Sequence, residues 1–340
     1  MALKFSVGYQ ARGDDLLVDT IKENAAKIAE IYFSWGDFPN GRSTLTALSD
    51  CDFDAQAKLE EDIGEIVKCG ISPNLLLNAN CYGAQAQARE FFCKIGDTVD
   101  DLGGRFGLKS VTTTSPLIAK FLKQNFENIE VRASVNMGIE GTAAMDYIAE
   151  YFDSFYLKRE YNRNRKELLA ARQWCDKNGK KLYGLANSGC LNFCSAHTFH
   201  DNLVAHENEI SKTDNAYQFE GQCNLYLQNP ENREKWLSIT NFIRPEDILL
   251  YEGIFDGIKL ATRVNKNPMR VISAYCRQSY SGAVTDLLEP NHSGLFYPNI
   301  IENKKIPKDF AQTVLDCDKN CDNCSFCKNT LRTAMVELIY

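Results

Sequence analysis

The sequence lacks any apolar run long enough to cross a membrane. No stretch of about 18 apolar residues occurs among its 340 residues, so we expect no transmembrane helix and no membrane partner. The N-terminal segment has no apolar core of the signal-peptide type, which predicts a cytoplasmic protein. The net charge of −7 provides no basic surface, so a DNA partner is not expected either.

Several common catalytic motifs are also missing. The chain contains no GxSxG, HExxH, Walker A or post-strand GxGxxG sequence, so the usual hydrolase, zinc-protease and nucleotide sites have no support. What the chain has instead is cysteine, 13 residues in all. In a reducing compartment, so many thiols are more typical of metal ligands, catalytic groups or free side chains than of disulfides.

Short strand-like segments alternate with helical patterns along most of the chain. The segments are rich in β-branched, aromatic and aliphatic residues, and the stretch 14–29 between the first two has one apolar helical face. The predicted strands are 5–10, 30–35, 74–81, 108–115, 130–137, 153–160, 181–190 and 257–263. Eight strand–helix pairs predict a (β/α)₈ TIM-like barrel, and a doubly wound open sheet is the competing fold.

Two further regions interrupt or follow the barrel pattern. A long excursion separates the seventh and eighth strands, and the ninth strand-like segment, 238–243, is interpreted as part of it. Within the excursion, Pro245 has the position of a first-turn proline and predicts a helix over 246–251. We therefore predict a barrel over residues 1–265 and a cysteine-rich C-terminal extension over 266–340.

Polar residues concentrate where the predicted strands end, which in such barrels is where chemistry takes place. An arginine side chain suits a carboxylate or phosphate ligand, because its guanidinium donates two hydrogen bonds at once. The alternative is that Arg159 and Glu160 form a structural ion pair and that the asparagines only end strands. The predicted catalytic residues are Arg159, Glu160, His200 and Arg263, and the predicted substrate-binding residues are Asn80, Asn136, Lys158, Arg163 and Asn187.

The C-terminal cysteines form the spacing C-x3-C-x2-C-x2-C. They are Cys317, Cys321, Cys324 and Cys327. Four closely spaced thiolates satisfy either a tetrahedral zinc ion or a [4Fe–4S] cluster. The compact run favours iron–sulfur, because Cys₄ zinc sites usually consist of two separated pairs, and zinc remains the alternative.

A second cysteine group follows the seventh predicted strand. Cys190 and Cys194 are four residues apart, and Cys223 is the expected third ligand of a metal centre there. Cys276, after the eighth strand, is the predicted fourth ligand, with Cys81 as the other option. The alternative is that this pair of cysteines consists of buried small hydrophobic residues.

The second half of the chain resembles peptidase family U32, the collagenase-like group. The segments that carry the resemblance are FDSFYLKREYNR, KLYGLANSGCLNFC, GQC and FIRPEDILLYEGIFDGIKLATR. The resemblance implies a TIM-like barrel with a four-cysteine [4Fe–4S] cluster near its rim. Cys190 and Cys223 fall where two of the family's ligands fall, whereas Cys194 departs from the family spacing. The C-terminal motif lies outside the common core and would suit a second cluster.

The resemblance leaves three functions open. Some U32 members are known as peptidases, and others take part in oxygen-independent hydroxylation of a quinone precursor or of tRNA uridine. We expect redox chemistry of the hydroxylation type on a small molecule or RNA base, with a homo- or heterodimer as an option. The alternatives are a U32-type peptidase and a metal-stabilised binding or RNA-modification partner.

Overall fold

The structure, a computed structural model, describes residues 2–41 and 53–338, and its centre is a closed barrel. Eight parallel strands pair in chain order, and the eighth pairs back with the first. They are β1 Phe5–Gly8, β2 Ile28–Phe33, β3 Ser72–Leu77, β4 Ser110–Thr113, β5 Glu130–Ala133, β6 Ser154–Tyr156, β7 Lys181–Leu185 and β8 Gly257–Leu260. The predicted (β/α)₈ barrel is confirmed, and the open sheet is excluded.

Helices surround the barrel and continue beyond it. The α-helices are α1 Leu16–Glu23, α2 Phe53–Val67, α3 Arg89–Phe106, α4 Pro116–Asn125, α5 Gly141–Asp146, α6 Arg165–Asn178, α7 His197–Ala205, α8 Glu207–Ile210, α9 Gln222–Gln228, α10 Pro230–Arg233, α11 Pro268–Arg277, α12 Ser293–Phe296, α13 Phe310–Leu315 and α14 Phe326–Ala334. The 3₁₀ helices are Ala25–Lys27, Gly83–Gln87, Val135–Met137, Arg159–Arg163, Pro245–Tyr251, Val284–Leu287, Asn303–Lys305 and Cys321–Asn323. None of the helices in the described ranges is long and apolar enough to span a membrane.

Helix α11 packs against α1 and closes the outer ring of the barrel. The first helix of the predicted extension 266–340 therefore belongs to the ring of helices around the barrel. The segment 238–243 is not a strand and makes one isolated bridge, between Leu191 and Thr240, as expected for part of the excursion. The helix predicted after Pro245 is present as a 3₁₀ helix with the proline in its first turn.

A buried charge network fills the barrel interior. Glu30 on β2 accepts hydrogen bonds from Ser110 on β4 and from Arg132 on β5, at 3.1 and 2.9 Å. These strands are not neighbours, so the contacts cross the lumen. Arg132 also pairs with Glu130 at 2.7 Å and lies over the Tyr183 ring at 3.9 Å. The pKa of Glu130 is lowered to about 2, because Arg132 and the bonds from Lys181 and Ser154 outweigh burial.

Replacing Arg132 with methionine should destabilise the fold strongly. Arg132 is 2% exposed, and its removal leaves the buried Glu30 carboxylate and the partly buried Glu130 carboxylate without their shared cation. We expect a loss of about 3–5 kcal/mol of unfolding free energy, measured by urea denaturation. The matched control is Arg105→Met, which breaks an exposed pair with Glu60 and should cost below about 1 kcal/mol. Equal losses in the two variants would contradict this account.

The excursion and the C-terminal extension together build a second hydrophobic core. Trp236 and Phe242 from the excursion pack with Phe296 and Phe310 from the extension. A two-stranded antiparallel sheet of β9 Asn299–Ile301 and β10 Met335–Glu337 lies beside this core. The extension is thus packed on the excursion and is not a separate tail.

Candidate functional site

Three predicted ligands come together beside the barrel mouth. Cys190, Cys194 and Cys223 line one cavity of about 200 Å³. Arg159 and Glu289 form part of the same wall. Burial, followed by the neighbouring Cys190 and Cys194 thiolates, raises the pKa of the Cys223 thiol. Residues 190, 194 and 223 are therefore one group in space, which we call the rim thiols.

The loop after β7 fixes the first rim thiol. Arg159 donates a hydrogen bond from Nη1 to the Cys190 Sγ at 2.9 Å. The backbone N–H of Gly189 donates to the Glu289 carbonyl at 2.9 Å. A side chain at Gly189 would clash, since its Cβ would lie 2.1 Å from the Pro290 carbonyl oxygen. Glycine there lets the 289–290 segment approach the loop and bring Glu289 to the cavity wall.

Neither candidate for the fourth ligand lines this cavity. Cys276 lies on α11 in the main core, 3% exposed, where burial raises its thiol pKa to about 11. The Cys81 Sγ instead accepts a hydrogen bond from the Gly83 N–H at 3.4 Å. Cys276 therefore lies apart from Cys190, Cys194 and Cys223 in this structure, and its role as the fourth ligand stays a prediction. The cavity wall offers His197, His200, Asp201 and Glu289 as other donors.

Helix α7 presents the histidines to the rim thiols. His200 lines the cavity and its ring lies 5.2 Å from that of Phe219. His197 approaches Asp201 at 3.4 Å. Asp201 also accepts a hydrogen bond from Asn80 at 3.1 Å, so Asn80 ties the end of β3 to this helix. Asn80 therefore positions the cavity wall.

A second, smaller cavity opens at the barrel mouth. Asn136, Lys259 and Arg263 line it, and Arg159 and Glu289 belong to both cavities. Arg263 donates to Asn40 Oδ1 at 2.8 Å, which holds its guanidinium at the mouth. The predicted residues Arg159, Asn136 and Arg263 are thus brought together, next to the rim thiols.

Lys259 is the residue of this mouth that the predicted site omitted. Its Nζ lies 4.0 Å from the centre of the Tyr32 ring. Burial, followed by the nearby charge of Arg263, lowers the Lys259 pKa from its ordinary value of 10.5 to about 7. A lysine that titrates near neutral pH can exchange a proton with a bound ligand. The available signal was a lysine inside the apolar strand GIKL.

Other predicted binding residues have structural partners. Arg163 is buried between the rings of Phe242 and Phe310 and donates to the carbonyls of Leu237 and Phe242. Asn187 is fully buried and bonds to the backbone of Ala261. Both side chains therefore connect backbone segments of neighbouring loops, and their role in substrate binding stays a prediction.

Lys158 and Glu160 contact Phe193 in the loop between Cys190 and Cys194. Lys158 pairs with Glu140 and lies over the Phe193 ring at 5.4 Å. The Glu160 carboxylate accepts a hydrogen bond from the Phe193 N–H at 3.0 Å. Arg159 and Glu160 thus serve different partners, the first inside the cavity and the second at the loop between Cys190 and Cys194. The geometry suits Glu160 as a positioning residue.

The C-terminal thiols form a separate group on the second core. Cys317, Cys321 and Cys324 are exposed and Cys327 is partly buried. Burial raises the pKa of Cys327 to about 11, with Arg163 acting in the opposite direction and the other three thiolates adding to the rise. We call residues 317, 321, 324 and 327 the tail thiols.

The donor chemistry of the rim thiols fits an iron–sulfur cluster. A [4Fe–4S] cluster binds each thiolate on a different iron, so its ligands can stand on separate walls of one cavity. A single zinc ion instead needs all its ligands at about 2.0–2.3 Å from one point. Within residues 2–41 and 53–338, no group of three or more His, Cys, Asp or Glu side chains is arranged so that it could hold a metal ion.

Comparison with known proteins supports the U32 resemblance at the level of sequence and fold. No protein-family model matches the chain. Over 315 residues it is 25% identical to the uncharacterized protease MJ1657 of Methanocaldococcus jannaschii, covering 90% of this chain and 88% of that protein. The solved U32 peptidase Mk0906 superposes with a TM-score of 0.53 at 16% identity, over 76% of this chain and 92% of that one. The resemblance to peptidase family U32 is confirmed.

A further solved structure is less similar to this U32-like chain. A xylanase–α-amylase inhibitor protein matches 82% of the chain at 11% identity, with a TM-score of only 0.44. Likeness at that level adds nothing to the argument. The two U32-type similarities establish the barrel and the family resemblance, and the names of both relatives contain protease or peptidase.

Proposed function

We propose that this U32-like chain is an iron–sulfur enzyme whose rim thiols hold a [4Fe–4S] cluster beside the barrel mouth. The supporting observation is that Cys190, Cys194 and Cys223 line one cavity although they are up to 33 positions apart in the chain. A bound cluster would supply one-electron transfer. The reaction would be redox chemistry of the oxygen-independent hydroxylation type, on a small molecule or an RNA base.

The chain's own residues would tune and orient this site. The hydrogen bond from Arg159 to the Cys190 sulfur withdraws charge from the thiolate, and bonds to ligand sulfurs are one means of setting a cluster's potential. Arg159 also faces the mouth cavity, so the same guanidinium connects the two spaces. Its hydrogen bond with the ligand sulfur makes it a positioning residue for the cluster.

The mouth cavity would bind the substrate. Arg263 and Lys259 provide cationic donors, and Glu289 provides a carboxylate at the boundary with the rim thiols. An anionic or strongly polar substrate group suits two cations at this position. Lys259, with its pKa near 7, would hold or release a proton at its Nζ as the ligand binds.

The decisive experiment is metal analysis of protein purified without oxygen. We expect iron and acid-labile sulfide in equal amounts, and an EPR signal after reduction. If protein purified in the absence of oxygen contains no iron, the proposal is refuted. Zinc in place of iron would favour the metal-stabilised binding function, whereas peptide cleavage by iron-free protein would favour the peptidase.

We further propose that the tail thiols hold a second cluster. The double variant Cys321→Ser/Cys324→Ser removes two exposed ligands of this group. We expect it to lose about half of the iron while keeping the EPR signal of the rim cluster. The control is Cys69→Ser/Cys93→Ser, which changes two exposed thiols outside both groups. Unchanged iron, or loss of zinc instead, would contradict a second cluster.

A further inference from the structure

A third group of reactive side chains lies outside both thiol groups. Cys81 follows the end of β3, and the His206 ring lies beside the turn that Cys81 begins, since a Cβ at Gly83 would be 3.7 Å from the His206 Cε1. The His206 Nδ1 in turn lies 2.6 Å from the Glu209 Oε2. This order of thiol, imidazole and carboxylate is the arrangement that activates a nucleophilic cysteine, with the carboxylate orienting the ring.

The backbone around Cys81 supports a charged thiolate. The N–H of Gly83 donates to the Cys81 Sγ at 3.4 Å. The nearby His206, followed by the hydrogen bond from Gly83, lowers the Cys81 pKa. Cys81, followed by Glu209, raises the His206 pKa. The two shifts have opposite signs, which favours a thiolate–imidazolium pair.

A ligand-sized cavity of about 600 Å³ adjoins the pair. His206 and Glu209 line it, and so do Tyr82 and Gly83, which directly follow Cys81. This volume lies in the range of small-molecule sites. The aromatic rings of Phe38 and Phe91 form an apolar wall, 5.9 Å apart and edge to face.

The charge around this cavity is mainly negative. Asp37, Glu90 and Glu209 contribute carboxylates, whereas the cationic groups are His206 and Lys94, and Lys94 is paired with Asp37. An acyl group with a positively charged side chain complements such a wall. A peptide or ester with lysine or arginine on its acyl side has this chemistry.

We propose that Cys81, His206 and Glu209 form a nucleophilic cysteine site that hydrolyses acyl bonds next to a cationic side chain. The Cys81 Sγ bonds to the acyl carbon, while the bond to the leaving alcohol or amine breaks. The leaving group takes the proton from His206. Water then gives a proton to His206 and its hydroxyl to the acyl carbon, which releases the acid and restores the thiolate.

The first test measures thiol reactivity. At pH 6, iodoacetamide should alkylate Cys81 at least about tenfold faster than Cys69 and Cys93, which are the exposed internal controls, with sites identified by peptide mass spectrometry. His206→Gln should bring the Cys81 rate down to that of the controls. Equal rates for Cys81 and the controls in the wild-type protein would overturn the proposal.

The second test measures acyl transfer. The p-nitrophenyl ester of Nα-acetyl-lysine should acylate Cys81 at least about tenfold faster than the corresponding ester of Nα-acetyl-glutamate, as seen by intact mass and peptide mapping. Cys81→Ser should abolish the adduct yet retain the wild-type iron content, which separates this site from the rim cluster. No adduct on Cys81, or equal rates for the two esters, would refute the proposal.

Discussion

Replacing Cys190 with alanine should remove the rim cluster. Cys190 lines the cavity with Cys194 and Cys223, and its sulfur is the one that accepts the hydrogen bond from Arg159. Without this thiolate, one iron of the proposed cluster would lose its ligand. Arg159 would also lose the sulfur that accepts its hydrogen bond. We expect iron at the rim to fall by at least roughly tenfold.

The measurement requires a background without the tail cluster. Cys190→Ala is therefore combined with Cys321→Ser/Cys324→Ser, and iron, sulfide and EPR are compared with those of the double variant alone. The matched control is Cys93→Ala in the same background, since Cys93 is an exposed thiol on α3. If the triple variant kept the iron and the EPR signal of its parent, the rim thiols would not be the ligands.

Two cavities that share a wall would let one barrel end serve both the proposed electron transfer and the proposed substrate binding. Arg159 and Glu289 form the shared wall between the rim thiols and the mouth. Arg159 comes from the 3₁₀ helix after β6, whereas Glu289 comes from the C-terminal extension. The extension is therefore part of the site, because its contact with Gly189 places Glu289 between the two spaces.

The barrel could be predicted because its strands carry local signals. All eight predicted segments contain or overlap an observed strand, for example 181–190 with β7 Lys181–Leu185. The predictions extended too far at the C-terminal ends, as at Asn187, which leaves the sheet and bonds to the Ala261 backbone. Residues of strand-forming types continue into the loops at the barrel mouth, whereas the hydrogen bonds between neighbouring strands end earlier in the chain.

The site was predicted only in part, because its contacts are distant in sequence. The spacing of Cys190 and Cys194 identified the rim, and Cys223 was inferred correctly as a neighbour. No local pattern could place Glu289 in the cavity wall or Cys81 next to His206, since tertiary packing alone joins them. The position of Arg163 between the Phe242 and Phe310 rings could not be predicted either, because these residues are distant in sequence.

Replacing Lys259 with methionine should make the fold more stable. The folded-state pKa of Lys259 is about 7, below the ordinary value of 10.5 that holds in the unfolded chain. Charging this lysine in the fold therefore costs free energy, by about 1.4 kcal/mol per pKa unit before discounting for its partial solvent access at the mouth. At pH 6 we expect the variant to be more stable by about 2–4 kcal/mol in urea unfolding.

The pH dependence separates this cause from improved packing. Between about pH 7 and 10.5 the unfolded chain binds the Lys259 proton and the folded chain does not, so wild-type stability rises with pH there. The advantage of Lys259→Met should therefore shrink by about 1–3 kcal/mol between pH 6 and pH 9. Lys177→Met, an exposed lysine at the end of α6, is the control and should show neither effect. If the difference in unfolding free energy between Lys259→Met and the wild type stays constant with pH, the variant is more stable because methionine packs better against Tyr32. The buried charge of Lys259 would then not be the cause.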